Sequence, residues 1–489
     1  MSVDMPISLP SASGTTGIEA IVGLAHAPID VLLLGEHTRE ASGQLEILGY
    51  AVTAHPLCDP NTMAQIASTT RQATFEVNIP AKQGVSQVFG AALVLNFSSV
   101  VHPLSLFDQL SRCVAPGGVV VILGSEIEAQ PPRIGRWLDY AIDIGKRCGF
   151  LLLELEKGSS ASGSGAFVRA FRKSVTPRWR LRHMRPGDYE EIAVLFRDVF
   201  GHTLSRELWQ WKYMNGHGNA VLASRDGVLI AHYGGMYREI LLCGKPEWAY
   251  GGSDVMVHPN ERGVMTRQGP FLLTAATTAE MYGPVAFGFP TERAMLVAER
   301  MGLYSKAGQM VEVRWEPAAP GIRWRSRLHN LTRGNEVDQR KVDGIWRAMA
   351  NDLRESVVGV RDWQYLEQRY FAHPHNHYDV LMVTSRLTGR PLGAMVLRRL
   401  ENTCELMDVI APLANLAVVV DQARRMASRW KLDYLYGWIT TNYATLFTAC
   451  AGKEEPLNMY IPTSCWTDDP RVNMLKDRWW LMSGDTDFR

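Results

Sequence analysis

An excess of charge of either sign is missing from this chain of 489 residues: 51 Lys and Arg stand against 50 Asp and Glu, a net charge of +1. A dedicated nucleic-acid binder carries a strong basic excess, so no nucleic-acid partner is expected. Cysteine is sparse too, with seven residues scattered over 58, 113, 148, 243, 404, 450 and 465 and no C-x-x-C pair. An odd, dispersed set supplies neither a disulfide framework nor a structural zinc site, and it suits a reducing compartment. No apolar run approaches the roughly 20 residues that span a bilayer. The first seventeen residues hold one acid and no base, unlike a secretory leader. A cytoplasmic protein without a membrane partner is the expectation. What is present is 46% apolar residues, with 14 Trp and 20 Met, which excludes a disordered chain. At roughly 100–200 residues per domain, this length calls for three or so domains.

Two junctions divide the sequence. Gly-Ser-Ser-Ala-Ser-Gly-Ser-Gly at 158–165 precedes Thr176-Pro177, and between Lys157 and Asp188 stand seven Arg or Lys and no acid, a solvated linker and edge strand. Glu316-Pro317-Ala318-Ala319-Pro320-Gly321 makes the second break. The expected units are 1–175, 176–316 and 317–489. The last two read as copies. Trp211-Lys212-Tyr213 corresponds to Gln368-Arg369-Tyr370, Gly234 to Gly393, Asp254-Val255-Met256 to Asp408-Val409-Ile410, and Gly288 to Gly437. The offsets are ordered, as loop deletions after a tandem duplication would leave them.

In the first unit, Asp30–Gly35 reads as a buried parallel strand, followed by a helix near 39–48, a strand at 50–54, an apolar run from Ala91, a helix at 104–113 and Pro116-Gly117-Gly118 before Val119–Leu123. Alternating strands and helices imply a doubly wound sheet. These elements, with paired strands at 150–156 and 166–172, resemble the class I S-adenosylmethionine methyltransferases. The resemblance implies a Rossmann-like domain, but the glycine-rich cofactor turn is reduced to Gly35-Glu36-His37-Thr38-Arg39, and Ala54-His55 stands where an acid is expected, with Asp59 later. The unit is therefore read as degenerate, and S-adenosylmethionine is not expected as its cofactor.

The second unit opens Leu181-Arg182-His183-Met184-Arg185-Pro186-Gly187-Asp188, with Asp188 as an expected helix cap and an apolar helix face of Ile192, Val194, Leu195, Val199 and Phe200. A hairpin turning at Asp226-Gly227 follows. Then come Asp254-Val255-Met256-Val257-His258-Pro259, Arg262-Gly263, Pro270 as a first helical residue, and Gly288-Phe289-Pro290 before the helix 294–302. This series resembles the GNAT (Gcn5-related N-acetyltransferase) superfamily. The resemblance implies an acyl-CoA co-substrate, most simply acetyl-CoA, its pyrophosphate held along Arg262-Gly263-Val264-Met265-Thr266-Arg267-Gln268-Gly269 and its thioester oxygen by backbone donors near Met256 and Val257. A loop feeding a helix N-terminus suits a diphosphate, since it offers N–H groups and the positive dipole end. Only the first of the family's loop glycines survives, and a register centred on Arg267-Gln268-Gly269 stays open. Ala298 occupies the place of the family's tyrosine acid, leaving Tyr304 as a distant substitute. Asp254 and then Glu292 are the candidates for the base that frees an ammonium nucleophile.

In the third unit, Asp408-Val409-Ile410 is followed by an apolar segment without an Arg-Gly cradle, so this copy is expected to be non-catalytic and to complete the acceptor cleft. His373, His375 and His377, near Asp379, read as a polar turn, and no metal is expected. Trp209, Trp211, Tyr213, Trp363, Tyr365 and Tyr370 read as core, with a sugar cleft as the alternative. The whole is expected to be an α/β chain, a methyltransferase-like domain followed by two GNAT folds, transferring an acyl group to an amine of a small metabolite, sugar or natural-product precursor. A FemX-like aminoacyl transfer and a scaffold with decayed sites are the competing readings. An acyl-carrier or pathway protein as partner, and an oligomer, are left open.

Overall fold

The structure, a computed structural model, describes residues 18, 20–22, 24–25, 27, 29–35, 38–55, 89–95, 103–125, 137–153, 166–174, 176–262, 269–282, 285–319, 325–467, 469–486 and 488. Among the sequence expectations, Glu36, His37, Asp59, the 158–165 linker, Pro320-Gly321 and the loop Gly263–Gln268 lie outside these residues. The chain forms two compact units, one of 1–191 with 221–232 and one of 192–220 with 233–489. No helix among the described residues is long and apolar enough to cross a membrane.

The first unit holds β1 (Asp30–Leu34), α1 (Thr38–Ile47), β2 (Ala51–His55), β3 (Phe89–Val94), α2 (Pro103–Cys113), β4 (Val114–Ser125), α3 (Trp137–Arg147), β5 (Phe150–Leu153) and β6 (Ala166–Lys173). Its sheet runs β2-β1-β3-β4-β6-β5. The first four strands are parallel, and β6 is antiparallel to both β4 and β5. Val31–Leu34, Ala91–Val94 and Val119–Ile122 are buried, which is why these strands read as unbroken apolar runs. The Pro116-Gly117-Gly118 turn appears as an irregularity inside β4. Phe89 pairs with Val114 while Ala91 pairs with Val119, and Gly117 takes φ +80° between them. The same unit contains β7 (Arg180–His183), paired with residues 221–224 of β8 (Gly218–Arg225). The expected hairpin is present: Asp226 and Gly227 both adopt positive φ before β9 (Val228–Leu242).

The second unit begins within α4 (Tyr189–Phe200), where one expectation fails. Just ahead of it, the Asp188 carboxylate accepts from the Arg185 N–H at 2.6 Å and pairs with Arg182. The buried face is Ile192, Leu195 and Phe196, whereas Val194 and Phe200 are exposed. Next come α5 (Arg206–Tyr213), β10 (Lys245–Val257), α6 (Pro270–Tyr282), β11 (Ala286–Phe287), α7 (Glu292–Arg300), β12 (Tyr304–Trp315), β13 (Ser326–Asn330), α8 (Glu336–Asp352), β14 (Val357–Gly359) and α9 (Trp363–Leu366). The chain continues through β15 (Asp379–Ser385), β16 (Pro391–Arg399), β17 (Thr403–Ile410), α10 (Leu416–Arg429), β18 (Tyr434–Thr440), β19 (Lys453–Ser464) and β20 (Trp479–Trp480). One sheet path is β11-β10-β9-β14-β20 and the other β13-β15-β16-β17-β18-β12-β19. Each half of this unit lends strands to the other. β12 lies between β18 and β19, and β14 pairs with β9 around Val357↔Leu242. The apolar segment after Pro412 becomes α10, burying Leu416, Val419, Val420, Ala423 and Ala427.

Candidate functional site

The parallel pairing of β10 and β11 is brief. Tyr250 meets Ala286 and Gly251 meets Phe287, after which β10 continues alone on that side to Val257. Glycines stand at the parting, Gly252 on β10 and Gly288 after β11. A Cβ on Gly288 would lie 3.6 Å from Gly252 O, and one on Gly252 would lie 3.6 Å from Phe287 O and 4.0 Å from the Tyr233 hydroxyl. Neither glycine has positive φ, and a Cβ on either would sit at ordinary van der Waals distance from the facing strand, so an alanine would fit while a larger side chain would fill the parting.

Further along β10, Met256 is buried and Val257 half-buried. The Val257 carbonyl accepts from the Nε of Arg262 at 2.9 Å, so this exposed arginine is tied to the strand end. His258 caps the turn Pro259–Glu261. Past the loop, Pro270 is the first residue of α6, as expected, and the Gly269 carbonyl accepts the helix's opening bond from Leu273. Arg262 and Gly269 thus flank Gly263, Val264, Met265, Thr266, Arg267 and Gln268, which lie outside the described residues.

Asp254 adopts φ +48°, a left-handed conformation that Asp tolerates better than most residues. Its carboxylate is nearly buried and accepts from Lys212 Nζ at 2.9 Å and the Tyr213 hydroxyl at 2.7 Å, both from the end of α5. Glu292 lies exposed in the first turn of α7, which Thr291 caps. The hydroxyls of Tyr233 and Tyr304 are hydrogen-bonded to one another beside Gly252. Burial pushes Tyr233 up to about 12 and raises Tyr304 well above the ordinary phenol value, so both hold their protons at neutral pH. Ala298 is buried in the same cluster.

An arrangement like that at Asp254 recurs on β17. There Asp408, fully buried, accepts from Arg361 Nε at 2.8 Å and from the hydroxyls of Tyr365 at 2.8 Å and Tyr370 at 3.1 Å. Trp211 and Gln368, equivalent in the repeat read from sequence, touch: the Trp211 indole donates to the Gln368 carbonyl at 2.8 Å.

A cleft of about 940 Å³, its solvent-open mouth included, adjoins Gly251 and Gly252. Trp211, Trp248, Phe287 and Phe289 supply apolar wall, and the second half contributes Asp362, Tyr365, Arg369 and the C-terminal stretch 484–486. Of the aromatic residues singled out in the sequence, Trp209, Tyr213, Trp363 and Tyr370 are core, whereas Trp211 and Tyr365 also face the cleft. The histidine cluster has its own partners. His373 Nδ1 accepts from two backbone N–H groups, and His375 Nε2 bonds the Ser205 hydroxyl. Among the described residues no group of three or more His, Cys, Asp or Glu is placed to hold a metal. Gly252, Tyr233 and Arg238 escaped the sequence reading. The Gly251-Gly252 pair ahead of Asp254 was the one available signal; the other two depend on long-range packing.

Residues 180–307 match the family described as acetyltransferase (GNAT) domain. Among curated proteins, none matches this sequence. Similar solved structures include a conserved protein of unknown function from Enterococcus faecalis V583, described as a probable N-acyltransferase, at 13% identity and a TM-score of 0.46 over 58% of this chain and 71% of that one. A GCN5-related N-acetyltransferase from Anabaena variabilis gives 11% identity and a TM-score of 0.43 over 58% of this chain and 72% of its own. The N-myristoyltransferase of Saccharomyces cerevisiae, solved with myristoyl-CoA, gives 9% identity and a TM-score of 0.39, over 59% and 78% respectively.

Proposed function

We propose that this protein is an acyl-CoA-dependent N-acyltransferase, most simply an acetyltransferase, in which residues 176–316 bind the acyl donor and the 317–489 half completes the cleft for a small-molecule amine. The GNAT match over 180–307 supports acyl transfer in general. The observation that carries the specific reading is the glycine-lined parting of β10 and β11 next to an aromatic cleft. A narrow pantetheine arm needs such an opening, and side-chain-free walls let it approach the backbone of β10 closely. Among the described residues, Arg262 and the N–H groups of the first turn of α6 are the ones that suit a pyrophosphate, and the sequence between them adds Arg267. The donor supplies an activated thioester. N–H groups around Met256 and Val257 are the candidates to hold its oxygen as negative charge develops.

The amine nitrogen forms the new C–N bond as the C–S bond breaks. Asp254, directly or through water, is first choice to take the proton lost from nitrogen, with exposed Glu292 second. The protonated Tyr233–Tyr304 pair borders the parting and can donate a hydrogen bond to the departing thiolate, which at a thiol pKa of about 8.5 leaves without needing a full proton transfer from these weaker acids. The recurring Tyr–Asp arrangement at Asp254 and Asp408 supports a tandem origin of the two halves. In the first unit, the order β2-β1-β3-β4-β6-β5 with β6 reversed supports a methyltransferase-like domain in 1–175. Gly35 there has a packing reason: a Cβ would lie 2.7 Å from Leu95 Cβ. Its survival is therefore no argument for S-adenosylmethionine.

Acetyl-CoA at one hundred times its dissociation constant should stabilise the protein by about 2.7 kcal/mol. Gly252→Val should abolish that shift while its own unliganded melting stays close to wild type. An unchanged melting curve of the wild type with acetyl-CoA and other acyl-CoAs would end the transferase reading.

A further inference from the structure

Arg238, on β9, lines the cleft with its guanidinium fixed from two sides. Its Cζ lies 3.7 Å from the centre of the Tyr365 ring, and its other face covers Gly359, where a Cβ would come within 2.7 Å of Nη2. Only glycine at 359 leaves room for this. The side chain is about five-sixths buried at 16% exposure, and it faces Asp485 Oδ1 at 3.6 Å, beyond hydrogen-bond reach. Nη2 and Asp485 Oδ1 are both buried without a hydrogen-bond partner among the described residues. The neighbouring arginines are occupied. Arg361 bonds Asp408, Asp485 and the Gly359 carbonyl, and Arg369 bonds the carbonyls of Gly484 and Thr486. In the buried cluster behind this wall, three guanidiniums (238, 361, 369) meet two carboxylates (408, 485). Glu239 and Asp362 also line the cleft, Glu239 exposed and Asp362 half-buried.

With Nη2 turned inward towards Asp485, the part of this stacked guanidinium that remains exposed lines the cleft, held in place and preorganised to present N–H donors to a planar or tetrahedral oxyanion. We propose that Arg238 anchors an oxyanion of the acceptor, a carboxylate or phosphate, so that the substrate class is an amine that also carries such a group. This rests on the cleft being the acceptor site. Glu239 and Asp362 suit the ammonium end of such a zwitterion, and the aromatic walls suit an apolar body between the two charges. Asp485 is the positioning residue: held by Arg361, it fixes Arg238 from behind.

Two matched pairs test this on the full-length protein by ligand-observed NMR without acetyl-CoA: L-phenylalanine against phenethylamine, and phosphoethanolamine against ethanolamine. In at least one pair the oxyanion member should bind roughly 10- to 100-fold more tightly, as expected for hydrogen bonds to a charged group. The pair that discriminates identifies the anion as carboxylate or phosphate. Arg238→Gln should erase the difference, and Arg238→Lys, with charge but no fork, should restore only part of it. The wild-type comparison stands even if the variants fold poorly. Equal binding within both pairs, absence of binding by both oxyanion probes, or a preference that survives in a folded Arg238→Gln protein overturns the proposal. Because donor binding plays no part in this measurement, an oxyanion preference in a protein that ignores acyl-CoA would sink the transferase and keep the anchor.

Discussion

Asp254 carries two demands at once. It sits in left-handed backbone, and it receives a buried ammonium and a phenol on one carboxylate. Asn accepts the same backbone conformation and keeps an oxygen for Tyr213, but it cannot take a proton from an ammonium. Asp254→Asn should therefore retain the acetyl-CoA shift and lower kcat by about 100-fold or more, the usual worth of a positioned base. A kcat within a few-fold of wild type in steady-state assays would reduce Asp254 to a structural strand residue. This carboxylate was legible in the sequence because it falls beside an apolar strand that is repeated at Asp408. Its partners were not: Lys212 and Tyr213 lie some forty positions away, and only the fold closes that distance. Arg238 shows the same limit more sharply, since its stacking partner Tyr365 comes from the other half.

At the scale of elements, local pattern and local turn chemistry carried most of the reading. The parallel strands of the first sheet announced themselves as apolar runs, the Asp226-Gly227 turn by its need for positive φ, and α6 by a proline that suits a first helical turn. The misread face of α4 has a tertiary cause: Val194 and Phe200 obey helical spacing, but the packing takes Ile192, Leu195 and Phe196. The turn before β15 illustrates an element whose stability follows one ring. His373 Nδ1 accepts from the N–H groups of His375 and Asn376 at 3.2 and 3.0 Å. Burial, aided by the Arg369 charge, pushes its pKa down to about 3, so the folded protein keeps the ring neutral. In the unfolded chain the ring titrates near 6.5. Its contribution is therefore complete above pH 6.5 and declines as the pH falls from there towards about 3. Discounted for partial exposure, the loss is about 1–2 kcal/mol. Thermal melts from pH 7 to 4 should show a shallower acid limb in His373→Asn, whose amide oxygen can take both donors without titrating. Parallel limbs for variant and wild type would refute the assignment.

For the second unit as a whole, the reciprocal lending of strands decides how it unfolds. β12 follows α7 in sequence yet has both its partners, β18 and β19, in the C-terminal half, while β14 and β20 extend the sheet of β9 and β10. Sequence could not reveal this exchange. Neighbouring strands in a chain usually pair, and β12 closes the 176–316 stretch, yet both its partners come from the far end of the chain. Trp315, at the end of β12, is buried and packs on Phe447; Trp479, in β20, is buried and packs on Phe287 of β11. Each therefore holds a ring of the other half. Trp315→Ala and Trp479→Ala should each cost about 3–5 kcal/mol through the cavity left behind. If the lent strands couple the halves, both variants will shift the same denaturant-unfolding transition of this unit, leaving its slope with denaturant unchanged. A variant that splits that transition in two, with one part staying at the wild-type midpoint, would mean that the halves unfold independently. The cleft would then be a junction of separate domains instead of the interior of one cooperative body.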